Sequence, residues 1–334
     1  MNKKTLLLNP SQIDIAADII KRGGLVAFPT ETVYGLGADA LNDDAVRSIF
    51  KAKKRPMDNP LIAHISSIEQ LNLLAEKIPK KAKTLAERFW PGPLTMILKK
   101  KSIVPLSVTA GLDSVAIRMP KNDIALALIE KSGRPIAAPS ANLSGRPSPT
   151  NHSHVIDDLS GRIDAIILGG RVDIGLESTV IDMTRSIPTI LRPGKITPRM
   201  IQNQIGFVSL FKGTSSKPAS PGMKYRHYSP KAKVILVKYS KHQKQKISEL
   251  IADYQKGNKI LVLSREKISS DSAPNIKNVV IGSTIAEMSN AIFKEFREAD
   301  KEGDDIIIVE GTKETGLGIA LMNRLGKAAS IIVK

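Results

Sequence analysis

Short apolar runs, each closed by glycine, proline or a hydroxyl-rich stretch, alternate with helix-length segments along the chain. GLVAF (24–28), LIAHI (61–65) and residues 94–98, 115–119, 136–138, 165–168, 179–183 and 189–191 read as strands. Runs of that length between turn signals suit buried strands better than helices. Asp43 or Asp44 caps a helix with Val46, Ile49 and Phe50 on one face, which Lys51, Lys53, Lys54 and Arg55 close before Pro56; bases at that end suit the helix dipole. Ser67 opens a second helix, residues 79–89 form a third that halts at WPGP, and residues 123–131 a fourth. PTETVYGLG (29–37) reads as a loop. The strands near 179–191 look hairpin-joined, so a mixed α/β sheet with flanking helices is expected, rather than an all-parallel one.

The rhythm changes after residue 206. Residues 207–232 hold Ser, Pro and Gly in quantity, five Lys or Arg and no acid, and read as a linker. From 233 to 334 strand and helix alternate regularly: VILVKY, a helix to Lys256, ILVLS, VVIG, a helix over 284–299, IIIVEG, a helix over 319–328, and IIV. That alternation predicts a smaller, doubly wound domain. The expected organisation is therefore a catalytic domain over 1–206, a linker over 207–232 and an α/β domain over 233–334.

Composition narrows the chemistry. A length of 334 residues favours two cores. Cysteine is absent, which excludes disulfides, thiolate metal sites and cysteine nucleophiles. No apolar run approaches the roughly 20 residues that span a bilayer, and MNKKTLLLNPSQ is too short in leucines for a signal segment, so a cytoplasmic location without membrane contact is expected. A net charge of +18 suits an acidic partner, nucleotide phosphates or RNA, or serves solubility alone, and charge by itself does not choose among them. With aromatics at only 4%, few side chains remain to stack single-stranded bases.

Several signatures fail. RPGKIT lacks the first glycine of a phosphate loop, since Thr189 stands there, and neither Gly35 with Gly37 nor Gly316 with Gly318 finds a third glycine at dinucleotide spacing. His152 and His154 read as a solvated pair in a polar stretch rather than metal ligands. Three clusters are more informative. KAKKRPMDNPLIAH (51–64) gathers bases, the amide Asn59 and the imidazole His64 around one helix end and the following strand. PIAAPSANLSGRPSPT (135–150) ends a strand in Ser140, Asn142 and Ser144. VAIRM (115–119) places Arg118 in an apolar strand, where a guanidinium requires either an acidic side chain of the same chain or an anionic ligand.

GLVAFPTETVYGLGADA, KKRPMDNPLIAHI, FWPGPLTMIL, VAIRMP, PIAAPSANLSG, ESTVIDM and ILRPG follow one another in this order. The series resembles the YrdC-type threonylcarbamoyl-AMP synthase family over about residues 10–200, and the remainder resembles that family's long form. The resemblance implies a YrdC-like twisted mixed sheet followed by a Rossmann-like domain. It also implies an enzyme, a nucleotidyltransferase that joins L-threonine, bicarbonate or CO2, and ATP with Mg2+ into L-threonylcarbamoyladenylate, releasing pyrophosphate. A separate transferase would place the product on tRNA as N6-threonylcarbamoyladenosine.

Carried onto this sequence, the resemblance makes Lys53, Arg55, Ser140 and Asn142 the central polar set, with Lys53 and Arg55 toward phosphates. Asn59, Asn142 and Arg192 join them as ATP contacts. Thr32, His64, Arg118, Ser140 and Ser178 surround threonine, with Arg118 forked onto its carboxylate. Tyr228, with Arg226 near it, would reach the nucleotide from a linker that serves as a lid. Mg2+ would ride on the triphosphate without a named protein ligand. The competing reading is a double-stranded RNA-binding protein that uses the same basic surface, which leaves the threonine-shaped polar set unexplained.

Overall fold

The computed structural model describes residues 4–211, 213, 228–268 and 273–334. Chain contacts divide it into two units, Met1–Ser144 with Ser148–Tyr225, and Gly145–Pro147 with Arg226–Lys334.

Among the described residues, the strands of the first unit are β1 (Leu6–Leu8), β2 (Val26–Phe28), β3 (Gly35–Asp39), β4 (Ile62–His64), β5 (Leu94–Lys99), β6 (Ser114–Arg118), β7 (Ile136–Ala137), β8 (Ala165–Ile167), β9 (Thr179–Asp182), β10 (Thr189–Arg192) and β11 (Ser209–Leu210). They form one mixed sheet in the order β1-β8-β2-β3-β7-β4-β6-β5-β9-β10-β11. β4 and β6 run parallel, β5 and β6 antiparallel, and β9 and β10 make the expected hairpin. Alternation sorts side chains between the faces. Leu61, Ala63, Ile65, Val115, Ile117 and Met119 enter the main core beneath the helices Asp43–Lys53, Ile68–Leu74, Lys80–Phe89 and Pro198–Ile205. The intervening residues of β4 and β6, Ile62, His64, Ala116 and Arg118, therefore occupy the opposite face. There Val26, Phe28, Ile136 and Ala138 pack against the helices Ile13–Lys21 and Asp123–Ser132.

The structure corrects three local readings. Gly35–Asp39 is a strand rather than the end of a loop. Its glycines are required because the Phe28 ring lies across them: a Cβ at Gly37 would sit 2.8 Å from that ring and 2.7 Å from Ile136. The helix Asp43–Lys53 is capped by Asn42, whose side chain accepts the Ala45 N–H, leaving Asp43 and Asp44 in the first turn. The polar stretch with the two histidines opens the helix His152–Leu159, and buried His154 accepts the Thr150 N–H on Nδ1 at 3.2 Å.

In the second unit β12 (Lys233–Val237), β13 (Ile260–Ser264), β14 (Ile276–Val280), β15 (Ile306–Glu310) and β16 (Ile331–Val333) form a parallel sheet ordered β14-β13-β15-β12-β16. Ile235, Val237, Ile260, Val262, Ile306 and Ile308 pack on Ile247 and Ile251 of the helix Gln243–Tyr254. Ile285–Glu302, started by a Thr284/Glu287 capping box, packs beside Gly318–Ala328. Among the described residues no helix is long and apolar enough to cross a membrane.

Candidate active site

The segment between β2 and β3 folds inward, with Thr30, Glu31, Thr32, Val33 and Tyr34 all buried. Backbone bonds brace it: Ile174 N–H donates to the Glu31 carbonyl at 2.9 Å and Gly175 N–H to that of Thr32 at 3.1 Å. The Tyr34 hydroxyl donates to the Gly170 carbonyl at 2.8 Å, and burial pushes its pKa up. The same segment touches both halves of the predicted site. Its Glu31 and Thr32 side chains hold Arg118, while the Tyr34 carbonyl accepts Ala141 N–H and Gly35 bridges to Ser140.

On the first side, His64 and Arg118 are register partners across β4 and β6, so their side chains leave the same face. Arg118 donates from Nη2 to Glu31 Oε2 at 2.6 Å, from Nη1 to Thr32 Oγ1 at 3.0 Å and from Nε to the Gly92 carbonyl at 3.4 Å. Thr30 spends its proton on the Val33 carbonyl at 2.7 Å, so in its 2.8 Å contact with Thr32 the latter is the donor. A directed chain therefore runs Arg118, Thr32, Thr30, Val33 and fixes the guanidinium. The intramolecular acid that Arg118 demanded is Glu31. Glu31 Oε1 is buried and has no hydrogen-bond partner among the described residues.

His64 packs edge-on against Phe28, with ring centroids 6.1 Å apart. Burial, then the neighbouring Arg118 charge, pushes its pKa down to about 3, so the imidazole is neutral. Ser178, just before β9, meets Thr95 Oγ1 at 2.8 Å. Arg192 at the end of β10 donates to the Ser178 carbonyl from Nε at 3.0 Å and to its Oγ from Nη2 at 3.1 Å.

On the other side, Lys53 ends its helix almost fully buried, and its ammonium donates to the carbonyls of Ser140 and Asn142. Ser144 N–H returns to the Lys53 carbonyl at 3.0 Å. The lysine thus bolts the helix end to the Ser-Ala-Asn corner, an engagement with backbone oxygens that its sequence position did not reveal. Within the corner, Ser140 Oγ donates to Asn142 Oδ1 at 2.6 Å, and Asn142 Nδ2 to the Leu143 carbonyl at 2.8 Å. Arg55 Nη2 closes the next turn on the carbonyls of Asn59 and Pro60, at 3.2 and 3.3 Å. Asn59 is only 1% exposed, yet neither its Oδ1 nor its Nδ2 finds a partner among the described residues. Leaving such a group unmatched costs about 1–3 kcal/mol, an arrangement that suits a ligand-facing amide.

Tyr228 belongs to the second unit, where its left-handed backbone (φ 68°) places the ring in a stack on Phe293, centroids 5.2 Å apart, with the Arg324 guanidinium 5.8 Å away. Arg226 and most of the expected lid lie outside the described residues. Sequence reasoning missed Glu31 and Thr95. A lone acid among the hydroxyls of PTETVY was the available signal for Glu31; Thr95, inside an apolar strand, gave none.

Comparison with known proteins identifies the family. The Sua5/YciO/YrdC family model, described as telomere recombination, matches residues 18–194, and the model for the C-terminal domain of threonylcarbamoyl-AMP synthase matches 196–330. The threonylcarbamoyl-AMP synthase of Pyrococcus abyssi is 51% identical over 324 residues, 95% of this chain and 94% of the relative. That of Bacillus subtilis is 48% identical, covering 97% and 94%. A crystal structure of P. abyssi Sua5 complexed with L-threonine superposes with a TM-score of 0.93 at 49% identity, over 99% of this chain and all of that one. The fold and these matches define a YrdC-type enzyme with a further C-terminal domain. The chain belongs to the threonylcarbamoyl-AMP synthase family, in its long form.

Proposed function

We propose that the chain synthesises L-threonylcarbamoyladenylate from L-threonine, bicarbonate or CO2, and ATP, and releases pyrophosphate. The observation that carries this reading is the shared wall at residues 31–35, which holds the Arg118 group on one side and the Ser140–Asn142 corner on the other. An amino acid and a nucleotide are thereby offered adjacent seats. Arg118, Thr32, His64, Ser140 and Ser178 receive threonine. Arg55, Asn59, Asn142 and Arg192 receive ATP, with Asn59 supplying the unmatched amide. Lys53 sets the corner that both substrates meet.

The chemistry needs positioning more than a nucleophile. The threonine ammonium first releases a proton to water; the neutral amine then attacks CO2, forming the N–C bond as one C–O π pair moves onto oxygen, and a second proton leaves to water to give the carbamate. A carbamate oxygen then attacks the α-phosphorus of ATP. As that P–O bond forms, the bond to the β-phosphate bridge breaks and its electrons leave with pyrophosphate. Neutral His64 adds no charge to the pocket and shapes it rather than taking the amine proton. Among the described residues no three His, Asp or Glu side chains converge to hold a metal, and Mg2+ is assigned to phosphate oxygens and water. The product is reactive toward water and passes in the cytoplasm to a separate transferase acting on tRNA.

Pyrophosphate release measured with ATP, threonine and bicarbonate omitted in turn tests the assignment. Release should require all three. Release without threonine would transfer the site to another acceptor, and none under any condition would favour a binding protein.

A further inference from the structure

Arg118 has five N–H donors, and the three bonds described above, to Glu31, Thr32 and Gly92, leave one on each terminal nitrogen. Glu31 likewise spends one carboxylate oxygen on Arg118 and keeps the other buried and unmatched. The pair is neutral as a whole, both side chains being 5% exposed. A purely anionic ligand gains little from a guanidinium whose charge is already answered. A zwitterion, with both charges and no net charge, is the complement of such a pair.

The geometry points to Glu31 as the residue that recognises the amino group of the substrate, so that Glu31 and Arg118 together form a clamp for α-amino acids. The ligand carboxylate takes the two remaining Arg118 N–H groups in the forked arrangement guanidinium favours, and the amine donates to Glu31 Oε1. This recognition rests on the synthase reading of the site and adds the reason an amino acid is chosen over a hydroxy acid. It also sets the reacting nitrogen. With its carboxylate on Arg118 and its ammonium on Glu31, the ligand is held at two points; once the ammonium has released one proton to water, the freed lone pair faces the carbon it attacks. Thr32, fixed by the Thr30 chain, keeps Arg118 from following the ligand.

Equilibrium titration of the full chain with L-threonine, 3-hydroxybutanoate (no amine) and threonine methyl ester (no carboxylate) tests the clamp. In the wild type both analogues should bind about 100-fold more weakly than threonine, the effect of leaving a buried charged partner unmatched. In Glu31→Gln, threonine should weaken by about 100-fold while 3-hydroxybutanoate holds or improves, because Arg118 is then unanswered; nucleotide binding should stay within about twofold. Equal weakening of both ligands would reduce Glu31 to a prop for Arg118 and overturn the clamp. So would a wild type that binds 3-hydroxybutanoate as tightly as threonine, a result that needs no variant to fold. A wild type that discriminates as described but releases no pyrophosphate would remove the synthase reading and leave the clamp standing. One that binds no threonine would end both.

Discussion

An arginine–glutamate pair lies in each unit among the described residues, Arg118–Glu31 in the first and Arg265–Glu310 in the second, and the two are built for different ends. In the second unit Glu310, at the end of β15, has both oxygens occupied: Oε2 accepts the Arg265 N–H at 2.7 Å and Oε1 accepts Arg265 Nε at 2.9 Å as well as its Nη2. In the first unit Glu31 keeps an oxygen unmatched and Arg118 keeps two donors, although this pair is far less exposed than Arg265 at 33%. A closed pair ties one strand end to the next. An open pair in a dry site is a half-finished interaction, and the missing half describes a ligand. Ion pairing alone therefore says little about function; the accounting of leftover donors and acceptors says much more.

The largest effect should come from opening each pair. Arg118→Ala leaves Glu31 buried without its partner, which should lower stability by about 3–5 kcal/mol and cut threonine-dependent kcat/KM by about 1000-fold or more, some 4 kcal/mol of transition-state stabilisation. Arg265→Ala should cost about 1–3 kcal/mol of stability and leave threonine kinetics within about twofold. Chemical denaturation alongside pyrophosphate release measures both quantities. Comparable kinetic losses in the two variants would erase the distinction between a functional and a structural pair.

A smaller effect follows from the neutral imidazole behind Arg118. His64 ordinarily titrates near 6.5 and is held in the folded protein at about 3. Between those values the unfolded chain binds a proton that the folded chain refuses, so acid favours unfolding across this window and has no such effect above it. Relative to His64→Asn, the wild type should lose on the order of 1 kcal/mol per pH unit as pH falls below about 6.5. Thermal melts of both proteins over that range check the sign. Parallel curves would show that His64 is charged in the folded site.

Much of this was legible in the chain, for reasons that differ by element. Strands β4, β6, β12, β13 and β15 are apolar runs bounded by turn residues and lie within a residue or two of where periodicity puts them. β3 reads as loop in the sequence because its glycines mimic a turn, whereas their actual role is to admit the Phe28 ring. That is a tertiary demand with no local signature. At the site, the arginine in an apolar strand announced that it needed an acid, but nothing in VAIRM could choose among the acids of the chain. The choice of Glu31 depends on the inward fold of residues 29–34, which hydroxyl-to-backbone bonding and the strand after it impose. Lys53 shows the converse: the family resemblance turned it toward phosphate, while the structure gives its ammonium two carbonyls.

The smallest predicted effect sets Glu31 against a second buried acid with unmatched oxygens. Asp304, just before β15, has a side chain with no exposure and neither oxygen hydrogen-bonded, with Lys259 Nζ 3.7 Å away. Burial pushes its pKa up. A carboxyl raised in the folded state contributes stability below its unfolded pKa and loses that contribution as pH rises through the folded value. Asp304→Asn removes the charge that burial opposes, and should stabilise the protein by about 1 kcal/mol near pH 8, with the gain fading toward about pH 3. Glu31→Gln at the same pH should do the reverse, since it strands the Arg118 charge that Glu31 neutralises. Opposite signs from two acid-to-amide changes, read in one set of denaturation curves, would separate a carboxylate held for a ligand from one merely enclosed by the fold. Stabilisation by Glu31→Gln would mean that Arg118 does not depend on Glu31 at all.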